Sequence, residues 1–123
     1  MPHKTKETGA IGEAYAASML EEKGYQILER NWRFKRLELD IIAMQEDIMV
    51  FVEVKTRDAR SFYKPERSVD KDKWRNISFA AGKYMEASGH DWEVRFDLVS
   101  VILRPNGTAS VKHYEDVYFP NRY

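Results

Sequence analysis

The chain of 123 residues reads as an α/β domain, one mixed sheet flanked by helices in the order helix, three strands, helix, two strands. Three observations predict this. Two long segments rich in helix formers stop at glycines, Gly24 and Gly89. Two runs of strand character, 37–44 and 48–56, are separated only by Gln45, Glu46 and Asp47. A further strand pair, 92–103 and 109–114, is joined through Pro105, Asn106, Gly107 and Thr108, a strong turn signal.

The elements follow in order. Residues 5–23 form the first predicted helix, with Ile11, Ala14, Tyr15, Ser18 and Met19 as its core stripe. Glu13 has Gly9, Ala10, Ala16, Ala17 and Leu20 as its helical neighbours, small and apolar, which points its carboxylate at the sheet or a cleft. Residues 25–33 are the first strand. Residues 61–70, with Pro65, break the pattern and read as a loop. Asp70 is a reasonable N-cap for a second helix, 70–88, whose stripe is Trp74, Ile77, Ser78, Ala81, Tyr84, Met85 and Ser88. The tail, 115–123, is expected to be irregular.

The hairpin carries the chemistry. If it turns between Glu46 and Asp47, Met44 faces Met49, Ile42 faces Phe51, Asp40 faces Glu53 and Glu38 faces Lys55, all on one face. A slip of one residue would send one set to the other side. Opposed Cβ atoms stand about 5 Å apart. At an effective dielectric of about 20, two anions at that distance repel by about 3 kcal/mol. A raised pKa, outward splaying or a divalent cation must offset that repulsion, and hard oxygen ligands suit magnesium or manganese. Because Val50, Val52, Val54, Leu39, Ile41 and Ala43 line the other face, both sides of the hairpin are expected to be buried.

Composition sets the limits. The length fits one domain over residues 1–123, and 43% hydrophobic with 33% charged residues is a globular balance. With no cysteine, disulfides, thiolate zinc sites and a cysteine nucleophile are excluded. Residues 1–10 are too polar for a secretory signal and no apolar run reaches membrane-spanning length, so the expected location is cytoplasmic. Twenty basic residues balance twenty acidic ones, which excludes binding to nucleic acid through bulk positive charge. The charge is uneven all the same. Arg30, Arg33, Lys35 and Arg36 precede the acidic strand, and Lys55, Arg57, Arg60, Lys64, Arg67, Lys71, Lys73 and Arg75 follow it. Arg33, Arg36, Arg57 and Lys73 are the candidate phosphate contacts. His3, His90 and His113 lack ligand spacing and receive no role.

Several stretches together carry a resemblance: Gly12-Glu13-Ala14, Arg30-Asn31-Trp32-Arg33, Glu38-Leu39-Asp40-Ile41-Ile42-Ala43, Phe51-Val52-Glu53-Val54-Lys55, Val69 with Lys73, Ala80-Ala81 with Tyr84, and Arg95-Phe96-Asp97. The chain resembles the YraN-like family of bacterial proteins, predicted endonucleases related to the archaeal Holliday junction resolvases. The resemblance implies a restriction-endonuclease-like fold in which Asp40, Glu53 and the Val54 carbonyl bind magnesium or manganese, with Glu13 as an additional helix carboxylate. It implies that Lys55 orients or activates the attacking water. The spacing agrees, since Glu53 and Lys55, two apart on a strand, point to one side. For Glu38 a salt bridge to Lys55 is the better reading. The family's glycine before Glu38 is Leu37 here, a departure that bears on how closely backbone approaches a ligand.

The expected activity is therefore metal-dependent hydrolysis of phosphodiester bonds in DNA, with branched or structured substrates as the family's hint. The alternative is a catalytically silent nucleic-acid-binding or assembly module on the same fold. No membrane partner is expected. Resolvase-like cutting of a two-fold junction would call for a symmetric homodimer.

Overall fold

A computed structural model describes residues 6–60 and 70–119. It contains α1 (Lys6–Glu22), β1 (Gln26–Phe34), β2 (Leu37–Gln45), β3 (Ile48–Asp58), α2 (Lys71–Ser88), β4 (Val94–Leu103) and β5 (Ala109–Tyr114). The expected order of elements is the observed one. The five strands lie in the sheet in chain order, antiparallel except for the parallel pair β3 and β4, which α2 connects. The loop expected over 61–70 lies, apart from Asp70, outside the described residues.

Local signals account for the element ends. Gly24, at φ 96°, and Gly89, at φ 80°, adopt the left-handed conformation that ends each helix at low steric cost. The Asp70 carboxylate caps α2 by accepting the N–H groups of Asp72 and Lys73. The β2–β3 hairpin turns through Glu46 and Asp47, with Gln45 opposite Ile48, Met44 opposite Met49 and Ile42 opposite Phe51, the expected register. β4 starts at Val94 rather than at Trp92. His90 Nε2 instead pairs with the Glu93 carbonyl at 2.9 Å, and the Trp92 ring lies against His90 in a turn.

Two cores sandwich the sheet. One face packs Ile41, Ala43, Val50, Val52, Val54, Val99 and Val101 against Ala16, Ala17 and Leu20 of α1. The other packs Ile42, Met49, Phe51, Phe96 and Leu98 against Trp74, Ile77, Ala80, Ala81 and Tyr84 of α2. β2 and β3 are thus buried on both faces, as their run of apolar residues requires. Leu37 adds its side chain to the α2-side core, so it supplies packing where a glycine would supply room. The tail is partly docked: the Val117 N–H donates to the Phe96 carbonyl and Tyr118 stacks on Trp74.

The stripe predicted for α1 is corrected. Ile11 is 44% and Tyr15 38% exposed, Ala14 and Ser18 also face outward, and Gly12, Ala16, Ala17 and Leu20 face the sheet. The reason is close approach. A Cβ on Gly12 would stand 1.8 Å from Thr56 Oγ1, so only small residues fit along this helix–strand contact. In α2 Trp74, Ile77, Tyr84 and Met85 do face inward, with Ala80 added to the stripe and Phe79 and Ser88 exposed.

A polar system on the α1 face was not anticipated, because its members are ordinary residues far apart in the chain. Asp97 is fully buried. Its carboxylate accepts two hydrogen bonds from the Arg95 guanidinium, at 2.9 and 2.8 Å, and a third from the Asp116 N–H. The fourth bond is to His113 Nε2, at 2.8 Å. Lys23 Nζ lies 2.8 Å from His113 Nδ1. An ammonium only donates, so Nδ1 accepts and the Nε2–H donates to Asp97. Arg95 also donates to Gln45 Oε1 and the Tyr25 hydroxyl. Burial alone would raise the Asp97 pKa, but the bonds from His113, Arg95 and Asp116 outweigh it and hold it below the ordinary value.

Two stability outcomes follow. Gly12→Ala should lower the urea midpoint: helix propensity offers a gain of about 1 kcal/mol, overpacking costs about 1–3 kcal/mol, and a clash with the buried, β-branched Thr56 selects the upper part of that range. Asp97→Ala should cost about 3–5 kcal/mol, because it strands the Arg95 charge in a site built around a carboxylate. A midpoint equal to wild type in either variant would contradict the packing described.

Candidate active site

Asp40 sits where β2 parts from its neighbours. The β1–β2 register passes from Arg30 opposite Ile41 to Trp32 opposite Leu39, which leaves Asn31 and Asp40 as an unpaired rung. Asn31 takes a left-handed conformation there, at φ 54°. On the other side, the β2–β3 rungs end at Ile41 opposite Val52. The side-chain alternation also breaks. Leu39, which in a regular strand would share the face of Ile41, joins Ile42 in the α2-side core. Asp40 and Glu53 therefore meet through a local divergence of the strands rather than as the regular cross-strand pair expected from the hairpin.

A side chain fills the gap. Asp40 Oδ2 accepts the Val54 N–H at 2.9 Å, taking the place of a ladder carbonyl. Because the N–H and C=O of an extended residue point to the same edge, the Val54 carbonyl faces the same gap. Glu53, buried on the α2 face, brings its carboxyl within hydrogen-bonding reach of Asp40. Burial and the Glu53 charge push the Asp40 pKa up to about 8, with Glu13 adding to the rise and the Val54 N–H opposing it. The Asp40 carboxyl thus keeps its proton well above the ordinary carboxylate range.

Lys73 completes the cluster from α2. Its Nζ meets Glu53 Oε2 at 2.5 Å, the ammonium half-exposed and the carboxylate buried. Burial alone would lower the Lys73 pKa, but the charges of Glu53 and Asp40 prevail and raise it. Read from the sequence as a phosphate contact, Lys73 is in the structure the ionic partner of Glu53. Lys55 shares the Glu53 face of β3, is half-buried, and has no ion-pair partner among the described residues. Glu13 approaches from α1 on the opposite face, and its Oε1 accepts from Asn31 Nδ2 at 2.8 Å.

The remaining candidates spread outward. Glu38 pairs with Arg33 across β1 and β2 at 3.6 Å, which corrects the expected bridge to Lys55. The antiparallel register sets Glu38 directly opposite Arg33, whereas the divergence at Asp40 carries it away from β3. Arg36 is exposed in the β1–β2 turn and Arg57 is half-buried near the end of β3. Asn31 was missed as a functional residue. Its signal was the Asn itself within an otherwise strand-like run, since Asn is among the few residues that tolerate the left-handed region.

Among the described residues, no three of His, Cys, Asp and Glu stand close enough together to form a metal cluster by themselves. The available donors are the Asp40 and Glu53 carboxylates and the Val54 carbonyl. Two carboxylates plus water and substrate phosphate is the way magnesium is commonly held, so this donor set suits a hard divalent cation. Such an ion would replace the Asp40 proton.

The comparisons agree on kinship. Residues 12–101 match the uncharacterised protein family UPF0102. A UPF0102 protein of Bacteroides thetaiotaomicron is 43% identical over 114 residues, covering 93% of each chain. One of Syntrophus aciditrophicus is 45% identical over 81% of this chain and 80% of its own, and one of Flavobacterium psychrophilum is 37% identical over 92% and 94%. Among the described residues no helix is long and apolar enough to cross a membrane. Since the matched span takes in both parted strands and both helices that serve the carboxylate pair, the protein belongs to the uncharacterised family UPF0102, that of the YraN-like proteins.

Proposed function

We propose that this protein is a metal-dependent nuclease that hydrolyses phosphodiester bonds in DNA. One observation carries the reading: the Asp40 carboxylate, with the buried Glu53 carboxylate for a neighbour, accepts the Val54 N–H in a gap between parted strands that a backbone carbonyl also faces. Perturbed acids in such a setting mark functional sites more often than structural ones. In this reading Asp40, Glu53 and the Val54 carbonyl hold magnesium or manganese, with Glu13 within reach through a shift of its bond to Asn31. Bound there, the ion supplies Lewis acidity and acidified water.

The residues of the chain do the rest. Lys55, free of acidic partners among the described residues, orients the attacking water and stabilises charge gathering on the phosphate oxygens. Lys73 holds Glu53 in place and passes from it to the phosphate as the substrate arrives. Arg33, Arg36 and Arg57 lie outside the carboxylate pair and contact the phosphate backbone beyond the scissile bond. A catalytically silent binding module is the second reading. It draws on the Lys73–Glu53 contact, which balances one carboxylate without any metal.

Calorimetric titration with magnesium and manganese, run beside cleavage of duplex, single-stranded and branched DNA, separates the two. Asp40→Asn and Glu53→Gln should each lower metal affinity and cleavage on the order of a hundredfold or more. Lys55→Ala should spare metal binding and lose cleavage. Metal binding indifferent to both acidic substitutions would end the nuclease reading.

Acidity gives an independent check. A carboxyl whose folded pKa exceeds its unfolded one stabilises the fold below the unfolded value and loses that contribution as pH rises through the folded value. For Asp40 the window runs from 3.8 to about 8. In chelator, wild type should therefore lose stability relative to Asp40→Asn across that window, and added magnesium should reverse the loss. Urea midpoints that differ by a constant amount at every pH would refute the raised Asp40 pKa.

A further inference from the structure

Four large apolar side chains are notably exposed among the described residues: Ile11, Tyr15, Phe79 and Trp92. Trp92 is engaged, its Nε1 donating to the Asp47 carbonyl at 2.6 Å and its ring lying 4.1 Å from His90. Ile11 and Tyr15 lie on the outer face of α1 with no contact that says what covers them. Phe79 is different. It is 55% exposed, and among the described residues it is the one of the four with an ammonium over its ring.

Its setting is an aromatic pair with cations on it. Phe34, the last residue of β1, meets Phe79 edge to face with centroids 6.2 Å apart. Lys83 Nζ lies 5.5 Å from the Phe79 centroid and 5.6 Å from that of Phe34, and Lys35 Nζ lies 5.5 Å from Phe34. Lys35 is held in the β1–β2 turn in a left-handed conformation, beside exposed Arg36. On α2, Arg75, Phe79 and Lys83 follow at intervals of four, a line of cation, ring and cation with steps of about 6 Å along the helix. Two acids touch the line, Asp72 at Arg75 and Glu86 at Lys83, both through exposed pairs that contribute little and yield to a competing phosphate.

We propose that Phe79 and Phe34, with Lys83, Lys35 and Arg36, form a stacking platform for an unpaired base of single-stranded nucleic acid. An apolar protein partner would find its anchor ringed by desolvated charges. A nucleotide satisfies both parts at once, its base on the ring and its phosphates on the ammonium and guanidinium groups. Duplex bases are closed in their own stack, so the ring selects bases that have left it. The substrate class rests on the nuclease reading, for which the platform supplies a preference for single-stranded or branched regions. Lys73, on the first turn of the same helix, faces Glu53, so α2 carries the platform on one side and a partner of the carboxylate pair on another.

Fluorescence anisotropy of a labelled oligothymidylate, in chelator and low salt, tests the platform without metal or cleavage. Phe79→Ala should weaken single-strand binding by about 5- to 150-fold, the loss of one stacked base. Phe79→Trp should restore it. Duplex affinity should move less than about twofold, and Lys83→Gln should flatten the salt dependence by about 0.7 in logarithmic slope. A urea midpoint unchanged in Phe79→Ala shows that the loss is one of binding. Equal affinity of wild type and Phe79→Ala, an equal loss on duplex, or no binding of any oligonucleotide would overturn the proposal. The nuclease reading fails separately: single-strand binding that needs Phe79, in a protein that cleaves nothing with magnesium or manganese, would keep the platform and remove the catalysis.

Discussion

The hydrogen bond from the Val54 N–H to Asp40 Oδ2 is the contact on which the site depends. Strands that part inside a sheet leave donors and acceptors without ladder partners, at a cost of about 1–3 kcal/mol for each buried group left unmet. Here a carboxylate takes the donor. That exchange lets β2 leave β3 after the Ile41–Val52 rung and keeps the break from spreading into the paired rows below it. It also pulls the Asp40 side chain into the plane of the sheet, towards Glu53 and away from water. The raised pKa of Asp40 is a consequence of the strand geometry, and so is the carbonyl beside it.

Charge balance at this point is delicate. Two neighbouring carboxylates in a part-buried gap repel each other more strongly than they would in water. Without a metal, two devices offset that: the proton that Asp40 keeps, and the Lys73 ammonium against Glu53. Both are exchangeable. A proton leaves when a cation arrives, and a half-exposed lysine on the first turns of a helix can swing to a phosphate. A permanent structural pair would gain from neither property.

The sequence made much of this legible, for definite reasons. The two-residue turn at Glu46 and Asp47 fixes an even register, and that alone places Ile42 opposite Phe51 and Met44 opposite Met49. α2 was readable because its caps, Asp70 and Gly89, and its apolar spacing all agree. α1 misled because periodicity favours the face with the larger apolar residues, while close packing of Gly12 on Thr56 demands the smaller. Glu38 pairs with Arg33 and not with Lys55 because the regular hairpin register, from which Lys55 follows, ends where the strands separate. His113 gave no signal at all. Its partners, Asp97 and Lys23, lie 16 and 90 positions away, and only the fold brings them together.

Asp97, buried, and Asp40, half-buried, show how one side-chain type serves opposite ends. Asp97 accepts from Arg95, His113 and the Asp116 N–H, so both oxygens are met and its pKa falls below the ordinary value. Such a carboxylate has no capacity left for a ligand and serves to pin β4, β5 and the end of α1. Asp40 has one backbone donor and an anion for a neighbour, and its pKa rises. Burial acts on both in the same direction, so the difference lies in what surrounds them: cations and N–H groups at Asp97, a second acid at Asp40. A fold that can satisfy one buried carboxylate so fully, on the α1 face of the sheet, leaves the other in need of a positive partner at the point where the strands open. That contrast within one molecule separates the aspartate that holds the structure from the one that the structure holds ready.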